Sequence, residues 1–219
     1  MAKARSIYIV QLILVLLVLA LVPTSIGKLA VFVMVWAVTF GRWSKAEIGM
    51  FVVACVFFSV MNAMSLKQGI FAFREPDLLG MPWYEFLMWG FYLLHTRRVV
   101  DGGAPSPDWR VFLLAVAYSL AFATIQDQTI LFVVTAVLLG AGLAVFHDPL
   151  DLSYAGYMVL LGAAVEYTGV WSGQWFYPGD PLGGVPPWFI TLWGGVGLLF
   201  RRLVLPFVIR FENVSDPAA

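Results

Sequence analysis

Gly69–Val100 reads GIFAFREPDLLGMPWYEFLMWGFYLLHTRRVV, and it can be laid without a gap over Gly173–Val204, GQWFYPGDPLGGVPPWFITLWGGVGLLFRRLV. Gly69/Gly173, Leu78/Leu182, Gly80/Gly184, Pro82/Pro186, Trp89/Trp193, Gly90/Gly194 and the doublets Arg97-Arg98/Arg201-Arg202 all fall at one shift, 173 − 69 = 104 residues. A match held in one register over such a length is the mark of an internally duplicated fold. In membrane proteins, duplication tends to place the functional site between the two copies. Positions where the copies differ are then the first places to look for chemistry.

The rest of the composition gives the class. The 219 residues are 61% hydrophobic and 12% charged, with a mean hydropathy of +0.88. Soluble domains run at about 45–50% apolar and about 25% charged. The chain therefore reads as an integral membrane protein. Apolar runs lie near 7–22, 29–41, 48–65, 83–99, 111–125, 129–146, 152–171 and 187–209. Shifting the last four back by 104 reproduces the first four, so the duplication covers nearly the whole chain. The expected fold is all-α, a polytopic transmembrane bundle of about eight helices in two tandem four-helix repeats, 1–104 and 105–219. Residues 101–108 (DGGAPSPD) link the copies, punctuated by Gly and Pro. The first run follows Lys3 and Arg5 as a signal peptide would, but its partner at 111–125 is internal, so it is read as a helix.

Lys and Arg set the orientation. The N-terminal side receives Lys3, Arg5, Arg42, Lys45, Arg97, Arg98, Arg110, Arg201, Arg202 and Arg210; the other side receives Lys28, Lys67 and Arg74. By the positive-inside rule both termini are cytoplasmic, and the expected location is the cytoplasmic (inner) membrane. The duplicated loops 69–82 and 173–186 then face outward. Zero formal net charge and no basic cluster beyond doublets argue against nucleic acid as a partner. Membrane lipids are the expected surroundings, and self-association into a homo-oligomer stays open. The lone Cys55 reads as a small buried hydrophobe.

Two acids interrupt the apolar pattern. Glu85 stands just inside the fourth run after Pro82, and Glu166 stands in MVLLGAAVEYTGVW, seven residues before Gly173. A charge at the centre of a span costs about 2.5–3.5 kcal/mol on insertion scales, so such groups face partners or cavities. The repeat partners are Phe189 for Glu85 and Asn62 for Glu166. Each copy has thus kept a different acid. A carboxyl held protonated in an apolar setting is a proton donor. Trp83, Tyr84, Trp89, Trp175, Tyr177 and Trp188 are aromatic neighbours in sequence. They fit an interfacial belt or a wall that stabilises a carbocation through ring quadrupoles. Only two histidines exist, His95 and His147, without metal-ligand spacing; neither a metal nor another cofactor is expected.

The series Glu166, Gly173, Trp175, then Pro178-Gly179-Asp180, Leu182-Gly183-Gly184 and Pro186, resembles the repeated element of the lycopene cyclase domain of heterodimeric carotenoid cyclases and related carotenoid hydratases. In that family an acid stands seven residues before Gly-x-Trp, and a Pro-x-Glu-Glu segment opens the next helix. Pro82-Trp83-Tyr84-Glu85 is similar, with Glu85 on the second Glu and Tyr84 in place of the first. Asn62 stands where the pattern has an acid, and Pro186-Pro187-Trp188-Phe189 lacks both glutamates. The resemblance implies catalytic roles for Glu85 and Glu166. It also implies an isoprenoid or lipid pocket that draws on Asn62, Trp83, Tyr84, Trp89, Trp175, Tyr177, Asp180 and Trp188. The expected activity is cyclisation or hydration of a carotenoid-like substrate by protonation of an alkene or epoxide. Alternatives are a non-catalytic lipid- or carotenoid-binding subunit and a small transporter.

Overall fold

The computed structural model describes residues 2–179 and 181–215. Helices occupy all eight expected runs among them: α1 (Ala2–Leu21), α2 (Ser25–Phe40), α3 (Lys45–Lys67), α4 (Glu85–Val100), α5 (Arg110–Thr124), α6 (Gln128–Phe146), α7 (Pro149–Trp171) and α8 (Trp188–Leu199). Past α8 the helix continues through a π turn, Phe200–Val204, into α9 (Leu205–Ser215). The π turn has a local cause: Pro206 has no N–H to donate back to the preceding turn, and the helix widens just ahead of it. Three helices, Lys45–Lys67, Gln128–Phe146 and Trp188–Glu212, are long and apolar enough to cross a membrane. The apolar helices Ser6–Leu21, Ser25–Phe40 and Arg110–Thr124 are shorter than the roughly 20 residues of an upright span.

Helix ends are set by short polar signals. Thr24 caps α2 by accepting from the Gly27 N–H. Ser44 and Glu47 form a reciprocal capping box on α3. Asp127 accepts from the Thr129 and Ile130 N–H groups at the start of α6. His147, at φ 51°, ends α6 in the left-handed conformation.

The duplication is visible in the backbone. Both ends of α7 lie 104 residues beyond those of α3 (149 − 45, 171 − 67). Gly69 and Gly173 have φ of 73° and 75°, and Gly80 and Gly184 of 80° and 81°. Leu79, at φ 54°, adopts the left-handed conformation its counterpart Gly183 takes at 75°. The duplicated loops also hold a feature the apolar pattern did not foretell, a two-stranded antiparallel ladder of β1 (Ala72–Phe73) and β2 (Trp175–Phe176). Ala72 pairs with Phe176, its own equivalent at the 104 shift (176 − 72), so the ladder is locally symmetric.

The chain divides into two compact units. One runs up to Val99 and includes Ala164–Val185; the other holds Val100–Ala163 and the chain from Pro186. The units therefore do not follow the copies: the last part of α7 and the loop after it pack with the first copy. Each unit encloses one helix. In the first, every residue of α4 from Met88 to Thr96 is buried. It meets α1 through His95 and Gln11, α2 through the stacked Phe91–Trp36 pair, and α3 at Gly90, packed on Cys55 and Phe51. In the second, Gly194, Gly195 and Gly197 let α8 approach its neighbours; a Cβ on Gly197 would lie 2.6 Å from the Tyr154 carbonyl oxygen. Meanwhile Val52, Val53, Val56 and Val60 of α3 are exposed.

An ion cluster repeats with the fold. Arg98 binds Glu47 through Nε and Nη2, both at 2.7 Å, and Arg97 lies 3.6 Å from the same carboxylate. At the 104 shift (151 − 47), Arg202 grips Asp151 through Nε at 2.9 Å and Nη2 at 2.5 Å, and Arg201 binds both Asp151 and Asp148. Arg201 holds the Asp148 carboxyl below the usual aspartate range. Removing one partner of a buried pair costs about 3–5 kcal/mol, because the other charge is left uncompensated. Asp151 is 0% exposed and Arg201 2%, whereas Arg97 and Arg98 are 17% and 26%. Asp151→Ala is therefore expected to destabilise the detergent-solubilised protein by about 3–5 kcal/mol and Glu47→Ala by less, as ranked by denaturant unfolding followed by circular dichroism.

Candidate functional site

Three stretches of the first unit converge at the end of α3 and α4 opposite the ion cluster. The last turns of α3 carry Asn62. The loop before α4 closes in a tight turn at Leu78–Met81, where Leu79 and Gly80 both have positive φ, the requirement of a type I′ turn. Asp77 then accepts from the Trp83 N–H at 2.9 Å, and the Glu85 N–H donates to Pro82. Glu85 is thereby placed as the first residue of α4. The last turns of α7 bring Glu166, and the chain reverses at Gly173 into β2.

The Asn62 amide donates to Glu85 Oε1 at 2.8 Å. Glu166 Oε2 accepts two bonds, from the Trp175 indole N–H at 3.0 Å and the Tyr177 hydroxyl at 2.8 Å. Glu85 is 9% exposed, and the two carboxyls lie within Coulombic reach of one another, with Tyr92 and Tyr177 inside the same field. Burial, then the Glu166 charge, holds the Tyr177 hydroxyl well above the usual tyrosine range; it stays a donor.

Aromatic rings surround this cluster. Trp89 stacks on Phe58 at 4.0 Å and meets Tyr92 edge-on at 5.5 Å. Phe73 packs edge-on against Trp175, and Phe71 lies beside Tyr177. Gly169 makes the Trp175 geometry attainable: a Cβ there would sit 2.0 Å from the indole.

The expected site residues fall into distinct groups. Glu85, Glu166, Asn62, Trp89, Trp175 and Tyr177 belong to one unit, where hydrogen bonds, ring contacts and the shared field connect them. Tyr84 is buried edge-on to Phe32 with Lys28 over its ring, and it also lies in the field of Glu85. Trp83 is 42% exposed, held by its backbone to Asp77 and Ser25. Trp188 belongs to the other unit, edge-on to Phe122. Asp180 lies outside the described residues. Phe58, Phe71, Phe73 and Gly169 are not among the expected site residues, although the repeat pointed to two of them, because Phe71 and Phe73 are the 104-shift counterparts of Trp175 and Tyr177.

A second buried chain crosses α1, α2 and α4. Thr39 gives its hydroxyl proton to the Val35 carbonyl and accepts from the Gln11 amide N–H. The other end of the Gln11 amide lies 2.7 Å from His95 Nδ1. The histidine is thus engaged with Gln11.

No known protein family, curated protein or solved structure matches this chain.

Overpacking typically costs 1–3 kcal/mol. Gly169→Ala is expected to lower stability by about that amount, as the new methyl drives the indole off Glu166. In a Trp175→Ala background the same change should be close to neutral, and a double-mutant cycle by thermal unfolding measures the difference.

Proposed function

We propose that the chain is an eight-span membrane protein of the lycopene-cyclase-like kind, with both termini cytoplasmic, that carries out acid-catalysed chemistry on a hydrophobic isoprenoid. One observation carries this reading: Glu85 and Glu166, acids contributed by different copies, share one aromatic-lined cluster. In the reaction, one carboxyl gives its proton to a substrate alkene or epoxide, and the positive charge forms on carbon. Neighbouring π bonds of the substrate close the ring on that carbon, or water adds to it. The proton then lost from the product returns to a carboxyl, so the protein ends unchanged. Trp89, Tyr92 and Trp175 supply ring faces suited to a cation. The excess of Lys and Arg on one side of the sequence supports the topology and the inner-membrane location.

A second reading, a non-catalytic isoprenoid-binding subunit, is favoured by the engagement of both acids in hydrogen bonds to Asn62, Trp175 and Tyr177, which also serve to bury them. The experiment that separates the two is expression with Glu85→Gln and Glu166→Gln in a host making lycopene and, separately, other polyprenyl substrates, followed by mass spectrometry of the extracted lipids. Catalysis predicts a new isomer, or a product heavier by one water, that falls by at least about 100-fold in either variant, the lower bound usual for a lost general acid or base. Unchanged lipids from folded protein would favour the binding subunit.

A further inference from the structure

We propose that at neutral pH the two carboxyls of the first unit form a proton-binding site that holds a single proton, carried by Glu85, while Glu166 stays a carboxylate fixed by Trp175 and Tyr177.

The donors decide the assignment. An indole N–H can donate and cannot accept, so Glu166 Oε2, 3.0 Å from Trp175 Nε1, must be an acceptor. The Tyr177 hydroxyl, 2.8 Å from the same oxygen, is the second donor. Two hydrogen bonds into one carboxylate oxygen favour the charged form. Glu85 is placed differently. Its Oε1 meets an amide, which can serve either form, since turning Asn62 over presents Oδ1 as an acceptor for an O–H. Among the described residues Glu85 Oε2 accepts no hydrogen bond. Two like charges within reach of each other in an apolar cluster disfavour double ionisation, and the proton goes where fewer donors stabilise the anion. Lys28 and Glu75 interact with each other, and Lys28 lies over the Tyr84 ring; Tyr84 in turn feels Glu75, Asp77 and Glu85. Neither charge appears as a hydrogen-bond partner of Glu85 or Glu166.

That Glu85 would be the acid of the isoprenoid reaction rests on the function proposed above; the proton's location does not. Two measurements test it on the purified full chain. In infrared spectra at pH 7 the C=O stretch of a protonated carboxylic acid is expected, and it is lost in Glu85→Gln. Dicyclohexylcarbodiimide reacts with a carboxylic acid in an apolar site by adding its O–H across a C=N bond, giving an acylisourea that rearranges to a stable acylurea. In the unsubstituted protein, peptide mapping is expected to find this adduct on Glu85. No protonated band in the wild type, a band that persists in Glu85→Gln, or an adduct on Glu166 and none on Glu85 would overturn the assignment. If Glu85→Gln does not fold, the adduct on the unsubstituted chain decides. Neither readout needs turnover: unchanged lipids with an adduct on Glu85 would sink the catalytic reading alone, and new products with an adduct on Glu166 would sink this assignment alone.

Discussion

Charge that enters an apolar shell must meet its opposite, and the paired arginines of α4 and of the π turn after α8 are where this constraint acts first. Each doublet sits near the end of the helix its unit encloses, and each finds a carboxylate one turn into a neighbouring helix, Glu47 in α3 and Asp151 in α7. A guanidinium fork on a carboxylate fixes direction as well as distance. The clusters therefore set the depth and rotation of the enclosed helices, and the aromatic and glycine contacts along α4 and α8 follow from that register. Because each ion cluster lies at one end of its own unit, the other end of that unit is free to diverge.

Divergence there is selective. At the 104 shift, Glu166 replaces Asn62, Phe189 replaces Glu85, and Gly162 replaces Phe58. The last exchange shows how packing accommodates the change. In the first unit Trp89 stacks on the Phe58 ring, whereas in the second its counterpart Trp193 lies against Gly162, where a Cβ would come within 2.3 Å. The same indole position is kept with a ring beside it in one unit and bare backbone in the other. The amide at 62 is also an active partner, since it donates to the acid the other copy lacks. With Glu85 and Glu166 already within each other's field, a third carboxylate at 62 would add repulsion.

Helix positions, the duplication and the two acids were legible because they depend on patterns a sequence displays: apolar runs, a constant shift, and charge where charge is costly. The grouping of Glu85 with Glu166 was legible only in part. It depends on Ala164–Val185 packing with the first copy, a choice made by tertiary contacts such as the Ala72–Phe176 ladder. Short ladders in loops leave no periodic trace. Gly169 was hidden for a similar reason: a helical glycine reads as a weak helix former until the ring that fills its missing Cβ is seen. Trp83 differs in the opposite way: it stands two residues before Glu85 in sequence, yet in the turn that precedes α4 it is exposed.

The N-terminus of α4 works against a proton on Glu85, and the comparison of magnitudes decides which influence prevails. Unsatisfied N–H groups at a helix start favour an anion by about 0.3–1 kcal/mol at exposed positions, up to about 2 when partly buried. Repulsion between two carboxylates that share one apolar cluster opposes the ionisation of both. To this is added the loss of hydration at Glu85, which in an apolar site acts against the charged form in the same direction. Glu166 has no helix start to help it, being in the last turns of α7, yet two N–H and O–H donors aimed at one oxygen give it what the helix end gives Glu85 and more, since hydrogen bonds to charged groups contribute about 1.5–3 kcal/mol each. The helix end narrows the gap between the two acids without reversing their order.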